Sequence, residues 1–88
     1  MLRPSYTKRF EKDVALARKR GKETDKLKAI MALIIAQQPL PPRVRDHALI
    51  GSYMGRRECH IEPDWLLIYK LEAEAVIFER TGTHADLF

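Results

Sequence analysis

Three prolines within four positions, Pro39, Pro41 and Pro42, prevent any regular element from running through the middle of this 88-residue chain. Each fixes φ and removes a backbone donor, and the residue before each is pushed out of helical geometry. The stretch Leu40-Pro41-Pro42-Arg43-Val44-Arg45-Asp46-His47 is therefore expected as an extended, stiff connector. The halves on either side carry different periodicities. Before it, Tyr6, Phe10, Val14 and Ala17 fall on one face of a helix over residues 6–20, with Ser5 or Thr7 as cap and Gly21 as its end. A second helix starts at Thr24 or Asp25, carries Leu27, Ile30, Met31, Ile34 and Ile35 on a wide apolar stripe, and stops before Pro39. After Gly51 and Gly55 come three strand-like runs, Arg56 to Glu62, Trp65 to Leu71 and Ala75 to Arg80, with Pro63-Asp64 and Glu72-Ala73-Glu74 as turns. The expectation is one α+β domain over residues 1–88, two N-terminal helices packed on a small antiparallel sheet. A tail from Thr83 to Phe88 makes one helical turn or lies across the sheet edge.

Length alone removes several function classes. A chain of this size buries only roughly 60–65% of the surface its unfolded form exposes, which leaves no room for a second core, a dinucleotide fold or an α/β barrel. Sixteen basic residues against twelve acidic ones give a net charge of +4. The imbalance is local: residues 1–28 hold ten basic and four acidic groups, and the rest of the chain is slightly acidic. The front half is thus expected to meet a polyanion or an acidic partner. A single cysteine, Cys59, excludes an internal disulfide and points to a reducing, cytoplasmic setting. The longest apolar run, Ile30 to Ala36, is too short to span a bilayer, and the first ten residues have no export pattern, so neither membrane nor secretion is expected.

The residues that carry chemistry lie in the second half. Strand alternation over Arg56 to Glu62 sends Arg57, Cys59 and Ile61 one way and Arg56, Glu58, His60 and Glu62 the other. Cys59 and Ile61 belong to the core, which places Glu58 and His60 together on the open face, close to the Pro63-Asp64-Trp65 turn. His47 on the connector and His84 near the C-terminus are the other imidazoles, and all three histidines fall at strand ends or in loops. An imidazole with an ordinary pKa near 6.5 takes or gives a proton at neutral pH. RNA cleavage by internal attack needs a base for the 2′-OH, an acid for the departing 5′-oxygen and cations for the phosphoryl oxygens. Histidine, aspartate and arginine suit that work. Each group has a structural alternative: a solvated surface histidine, a cross-strand charge pair for Glu58, Arg56 and Arg57, a core anchor for Trp65, and a docked terminus for Phe88. No metal or other cofactor is expected, since Cys59 and His60 face opposite ways and no C-x₂-C or H-x₃-H spacing occurs.

Three stretches together carry a family resemblance: Arg45-Asp46-His47-x-Leu49-x-Gly51-Ser52, the run Gly55 to Tyr69 containing Glu58-Cys59-His60-Ile61-Glu62-Pro63-Asp64-Trp65, and Glu79-Arg80-Thr81-Gly82-Thr83-His84-Ala85-Asp86-Leu87-Phe88. In this order and at this length the chain resembles the YafQ branch of the RelE-type bacterial toxins, and the basic first helix with its Asp13 also fits. The resemblance implies a RelE-like microbial RNase fold and a type II toxin, a ribosome-dependent mRNA endoribonuclease that cuts translated message in the ribosomal A site and inhibits translation. It implies a cognate antitoxin as partner, through which the complex meets operator DNA, with the ribosome and mRNA as the other partners. By the same resemblance the catalytic set falls on His47, His60, Asp64 and His84, with Glu58, Trp65, Arg80 and Phe88 in supporting or substrate-binding places. His84 is the implied general acid, His60 or Asp64 the base, and Arg80 a clamp on the transition state. RelE itself depends on lysine, arginine and tyrosine instead, which leaves the proton path open. The rival reading is a non-catalytic basic module that binds RNA, the ribosome or an antitoxin.

Overall fold

A computed structural model describes all residues, Met1–Phe88. A five-stranded sheet carries two helices on one face and leaves the other face largely open. The elements are β1 (Arg3–Tyr6), α1 (Lys8–Lys19), α2 (Thr24–Ile35), β2 (His47–Ala48), β3 (Arg57–Glu62), β4 (Trp65–Leu71), β5 (Ala75–Gly82) and α3 (His84–Leu87). Strand order is β1-β5-β4-β3-β2, with β3, β4 and β5 as the antiparallel centre.

The α+β expectation holds, with three local differences. The sheet is mixed: Arg3–Tyr6 forms a strand parallel to β5, pairing Arg3 with Ala75 and Tyr6 with Phe78. Tyr6 therefore ends a strand, and α1 begins only after Thr7, whose hydroxyl accepts from the Phe10 amide. The connector is not extended throughout. Pro42–Val44 is one 3₁₀ turn, locked by the fully buried Val44, and Arg45 follows in the left-handed region at φ 49°. β2 is only two residues long and sits at the sheet edge, antiparallel to β3.

β4 is central and apolar on both faces. Trp65, Leu67 and Tyr69 join Phe10, Leu27, Ile30 and Phe78 in the main core under the helices. Leu66 and Ile68 face the other way, into a smaller cluster with Leu87 and the flanking Leu49 and Tyr53. That second cluster seats α3 and the C-terminus on the open face. Gly82 is a steric requirement of this seat, since a Cβ there would come within 3.0 Å of the Asp86 side chain. No helix is long and apolar enough to cross a membrane.

Candidate active site

The three imidazoles, far apart in sequence, form one row on the open face. His47 lies 6.3 Å from His60, and His60 lies 5.9 Å from His84, measured between ring centroids. Sheet register accounts for the first pair. His47 stands directly opposite Glu58 across β2 and β3, so its Nε2 reaches Glu58 Oε2 at 3.0 Å. Two positions along β3 the His60 Nε2 faces the same oxygen at 3.8 Å. Glu58 is 6% exposed, a buried carboxylate placed between two imidazoles. The other ring nitrogen of His47, Nδ1, donates to the carbonyl of Arg45, the left-handed residue two positions before it, at 2.7 Å.

Aspartate orients the third imidazole. Asp64 Oδ1 accepts from the backbone N–H of His84 at 2.8 Å and contacts its Nδ1 at 2.6 Å. These bonds, the backbone one first, hold the Asp64 carboxyl below the usual carboxylate range. They also leave His84 Nε2 free to face a substrate. Thr83 and Asp86 form a reciprocal capping box at the start of α3, which fixes the turn that presents His84. Arg20, the residue that caps the end of α1, ties the same turn down, bonding Asp86 at 2.7 Å. His84 thus opens a helical turn rather than lying in a loop.

Phe88 is 64% exposed, packs edge-on against Tyr53 at 5.4 Å and sits 6.5 Å from His84. The Tyr53 hydroxyl donates to the Leu87 carbonyl at 3.2 Å. Arg80 lies on the Tyr53 side of the row, held by Asp13 of α1 through Nε at 2.7 Å and Nη2 at 3.2 Å. The same carboxylate accepts from the Thr81 amide at 3.1 Å, capping the length of β5 that β1 does not reach. Asp13 raises the Arg80 pKa chiefly by this hydrogen bond, against the opposing cost of burial, with Tyr53 adding a smaller contribution.

Trp65 takes the core-anchor place: it is 1% exposed and donates through Nε1 to the buried Thr81 hydroxyl at 2.9 Å. One sequence expectation needs correction. Glu62 does not share the face of Glu58 and His60. A bulge between His60 and Glu62 turns it toward Lys22 and Lys26, at 3.0 and 3.1 Å, which lower its pKa. Cys59 is fully buried, and burial pushes its thiol up to about 12, so it takes no part in chemistry at neutral pH. Tyr53 and Asp46 were not anticipated as parts of the site. Asp46 accepts from Arg57 at 2.8 Å and from the Tyr69 hydroxyl, anchoring the segment that carries His47. Nothing in the local spacing around Tyr53 marked it as part of the site.

A cleft of about 540 Å³ lies apart from this row, between the end of α2, the prolines and Tyr69, and none of the histidines lines it. The imidazole row is an open, shallow platform.

The sequence and fold have known relatives. Residues 2–88 match the family described as bacterial toxin of type II toxin–antitoxin system, YafQ. The chain is 54% identical, over 94% of its length and 91% of the relative's, to the mRNA interferase toxin YafQ of Escherichia coli K12. The crystal structure of YafQ from E. coli BL21(DE3) superposes with a TM-score of 0.95 at 49% identity, covering 100% of this chain and 99% of that one. YafQ in the E. coli DinJ–YafQ complex gives 0.93 at 50% identity, with the same coverage. With the family model spanning nearly every residue and the fold matching throughout, this chain belongs to the YafQ toxins of type II toxin–antitoxin systems.

Proposed function

We propose that this protein is a metal-independent endoribonuclease that cuts messenger RNA in the ribosomal A site and is held inactive by a cognate antitoxin. The observation that carries the reading is the row of three imidazoles joined to two carboxylates on an open face. Its parts divide into distinct roles. His84, with Nδ1 tied to Asp64, presents Nε2 as the acid that protonates the departing 5′-oxygen. Asp64 orients that ring rather than acting as base, because its oxygen is already committed to His84 and its pKa is lowered. His60 is the base: it sits mid-row, and 3.8 Å from Glu58 it is not locked in a hydrogen bond. It removes the 2′-OH proton, O2′ attacks phosphorus, and the P–O5′ bond breaks to leave a 2′,3′-cyclic phosphate. His47, held at both ring nitrogens by the Arg45 carbonyl and Glu58, positions the Glu58 carboxylate beside His60. Arg80 supplies fixed charge to the phosphoryl oxygens. Phe88, exposed beside His84, offers a ring for an unstacked base.

The platform has no enclosing pocket, so it supplies proton transfer and charge but little to hold a flexible strand. That suits a message already ordered by the ribosome. The related E. coli toxin forms a toxin–antitoxin complex with DinJ, which supports an antitoxin partner here. Operator DNA reached through that antitoxin and a cytoplasmic site of action belong to the same proposal. The test is primer-extension mapping of a message translated in a purified cell-free bacterial system, comparing wild type with His84→Ala. Discrete cuts at codon positions that need ribosomes, resist chelators and vanish with His84→Ala are expected. An intact message with wild-type protein that still binds ribosomes would replace this reading with the non-catalytic binding module.

A further inference from the structure

In residues 29–88 there are six basic side chains, Arg43, Arg45, Arg56, Arg57, Lys70 and Arg80. Four are matched to carboxylates: Arg56 to Glu79, Arg57 to Asp46, Lys70 to Glu72 and Arg80 to Asp13. Arg43 and Arg45 alone are exposed and form no ion pair within the chain. Both flank the buried Val44 on the 3₁₀ turn, and both line a cleft of about 350 Å³ whose other wall is His60, Ile61, Glu62 and Pro63. The one carboxylate there, Glu62, is already neutralised by Lys22 and Lys26.

The turn is stiff as well as charged. Pro41 and Pro42 preset it, Val44 pins it to the core, and the Arg45 carbonyl is bonded to His47 Nδ1. Two guanidinium groups are therefore carried at a constrained distance from His60 with little backbone entropy left to lose. Two unpaired guanidinium groups on a rigid turn, beside the base of a phosphodiester-cleaving row, match a backbone phosphate one or two nucleotides from the cut. An acidic protein segment would meet the same positive charge, but the cleft is lined by His60 itself, the base of the row, which favours a strand whose linkage is cut there. We propose that Arg43 and Arg45 form a phosphate subsite that grips the message beside the scissile linkage. The inference rests on the nuclease reading above.

Arg43→Gln/Arg45→Gln removes the charge and keeps most of each stem, and Arg45→Lys restores one charge. Cleavage is measured on ribosomes programmed with messages carrying a single neutral methylphosphonate at each linkage flanking the target codon. The double variant is expected to raise KM for programmed ribosomes about tenfold with kcat within twofold, and to make the salt slope of kcat/KM shallower by about 1.4, two contacts at about 0.7 each for a single strand. One methylphosphonate position should weaken cleavage by wild type and have little further effect on the double variant, and Arg45→Lys should recover part of the loss. A deficit equal on every message would place the arginines on ribosomal RNA, and a loss confined to antitoxin affinity would place them on a protein partner. Either overturns the subsite, as does wild-type KM in the double variant when thermal unfolding shows it folded. If wild type itself leaves the unmodified message intact, the nuclease reading fails and the subsite with it, a result told apart by that control.

Discussion

Replacing Trp65 by phenylalanine separates the buried anchor from a base-stacking residue. The indole is 1% exposed, and its Nε1–H donates to Thr81 Oγ1 at 2.9 Å. Thr81 in turn donates to the Leu66 carbonyl at 2.6 Å, so no polar group is stranded when the indole N–H is removed. The lost hydrogen bond then costs only its net value, about 0.5–1.5 kcal/mol. Shrinking indole to phenyl leaves roughly 40 Å³ unfilled, which at about 24 cal/mol per Å³ is roughly 1 kcal/mol, with the transfer of the missing atoms added. The Lys22 ammonium, 5.9 Å from the ring centroid, loses part of a weak cation–π contact as well. The total is roughly 2–3 kcal/mol, which for a domain of this size lowers Tm by roughly 10–20 °C. Thermal unfolding by circular dichroism measures it, and cleavage is assayed at a temperature where both proteins are folded. The expected result is a large fall in Tm with cleavage per folded molecule within about threefold of wild type. A Tm within about 2 °C of wild type accompanied by a hundredfold loss of cleavage would refute the reasoning and put the indole on the RNA.

His84→Ala should lower the cleavage rate by roughly 10² to 10⁴ while ribosome affinity is unchanged, checked by single-turnover kinetics beside a binding assay. The wild-type rate should follow a bell-shaped pH profile, and a flat rate between about pH 5 and 8 would count against acid–base roles for the imidazoles. Glu62, Asp64 and Asp86 all have folded pKa values below the ordinary carboxylate range, lowered chiefly by hydrogen bonds to Lys22, to the His84 backbone and to Arg20 respectively. Their contribution to stability is complete above the unfolded carboxylate range and is lost as pH falls through the lowered folded values. Urea midpoints should therefore decline below roughly pH 4, with Glu62→Gln and Asp86→Asn flattening the decline. Asp13→Asn strands part of a pair whose side chains are 14–15% exposed, and it should cost about 2–3 kcal/mol in urea unfolding and lower kcat more than it raises KM. A shift below about 0.5 kcal/mol would mean that Asp13 is not the holder of Arg80.

Much of the architecture was legible because its signals are local. The stripe Phe10, Val14, Ala17 marks α1, Leu27, Ile30, Ile34 marks α2, and the run Trp65 to Leu71 matches β4 residue for residue. Glu58 and His60 were placed on one face by alternation alone, and the structure sets the Glu58 carboxylate between His60 and His47. The misreadings occur where distant chain segments decide. Arg3–Tyr6 has four exposed residues and no apolar alternation, and it becomes a strand only because the β5 edge offers it a partner more than seventy residues away. The bulge before Glu62 turns that carboxylate to Lys22 and Lys26, forty and thirty-six residues away, which strand periodicity does not register.

Residue order along the chain determined the element types, the break at the prolines, the basic front half and the residue types available for acid–base work. Each of these depends on neighbours within a turn or a strand, so it is written in local spacing. Tertiary structure decided which groups meet: the His47–His60–His84 row, the tie from Asp64 to His84, the hold of Asp13 on Arg80, the burial of Trp65 and the packing of Tyr53 on Phe88. Those contacts join residues 13 to 67 positions apart, and closing them takes the burial of the whole core, a property that no short stretch of sequence carries.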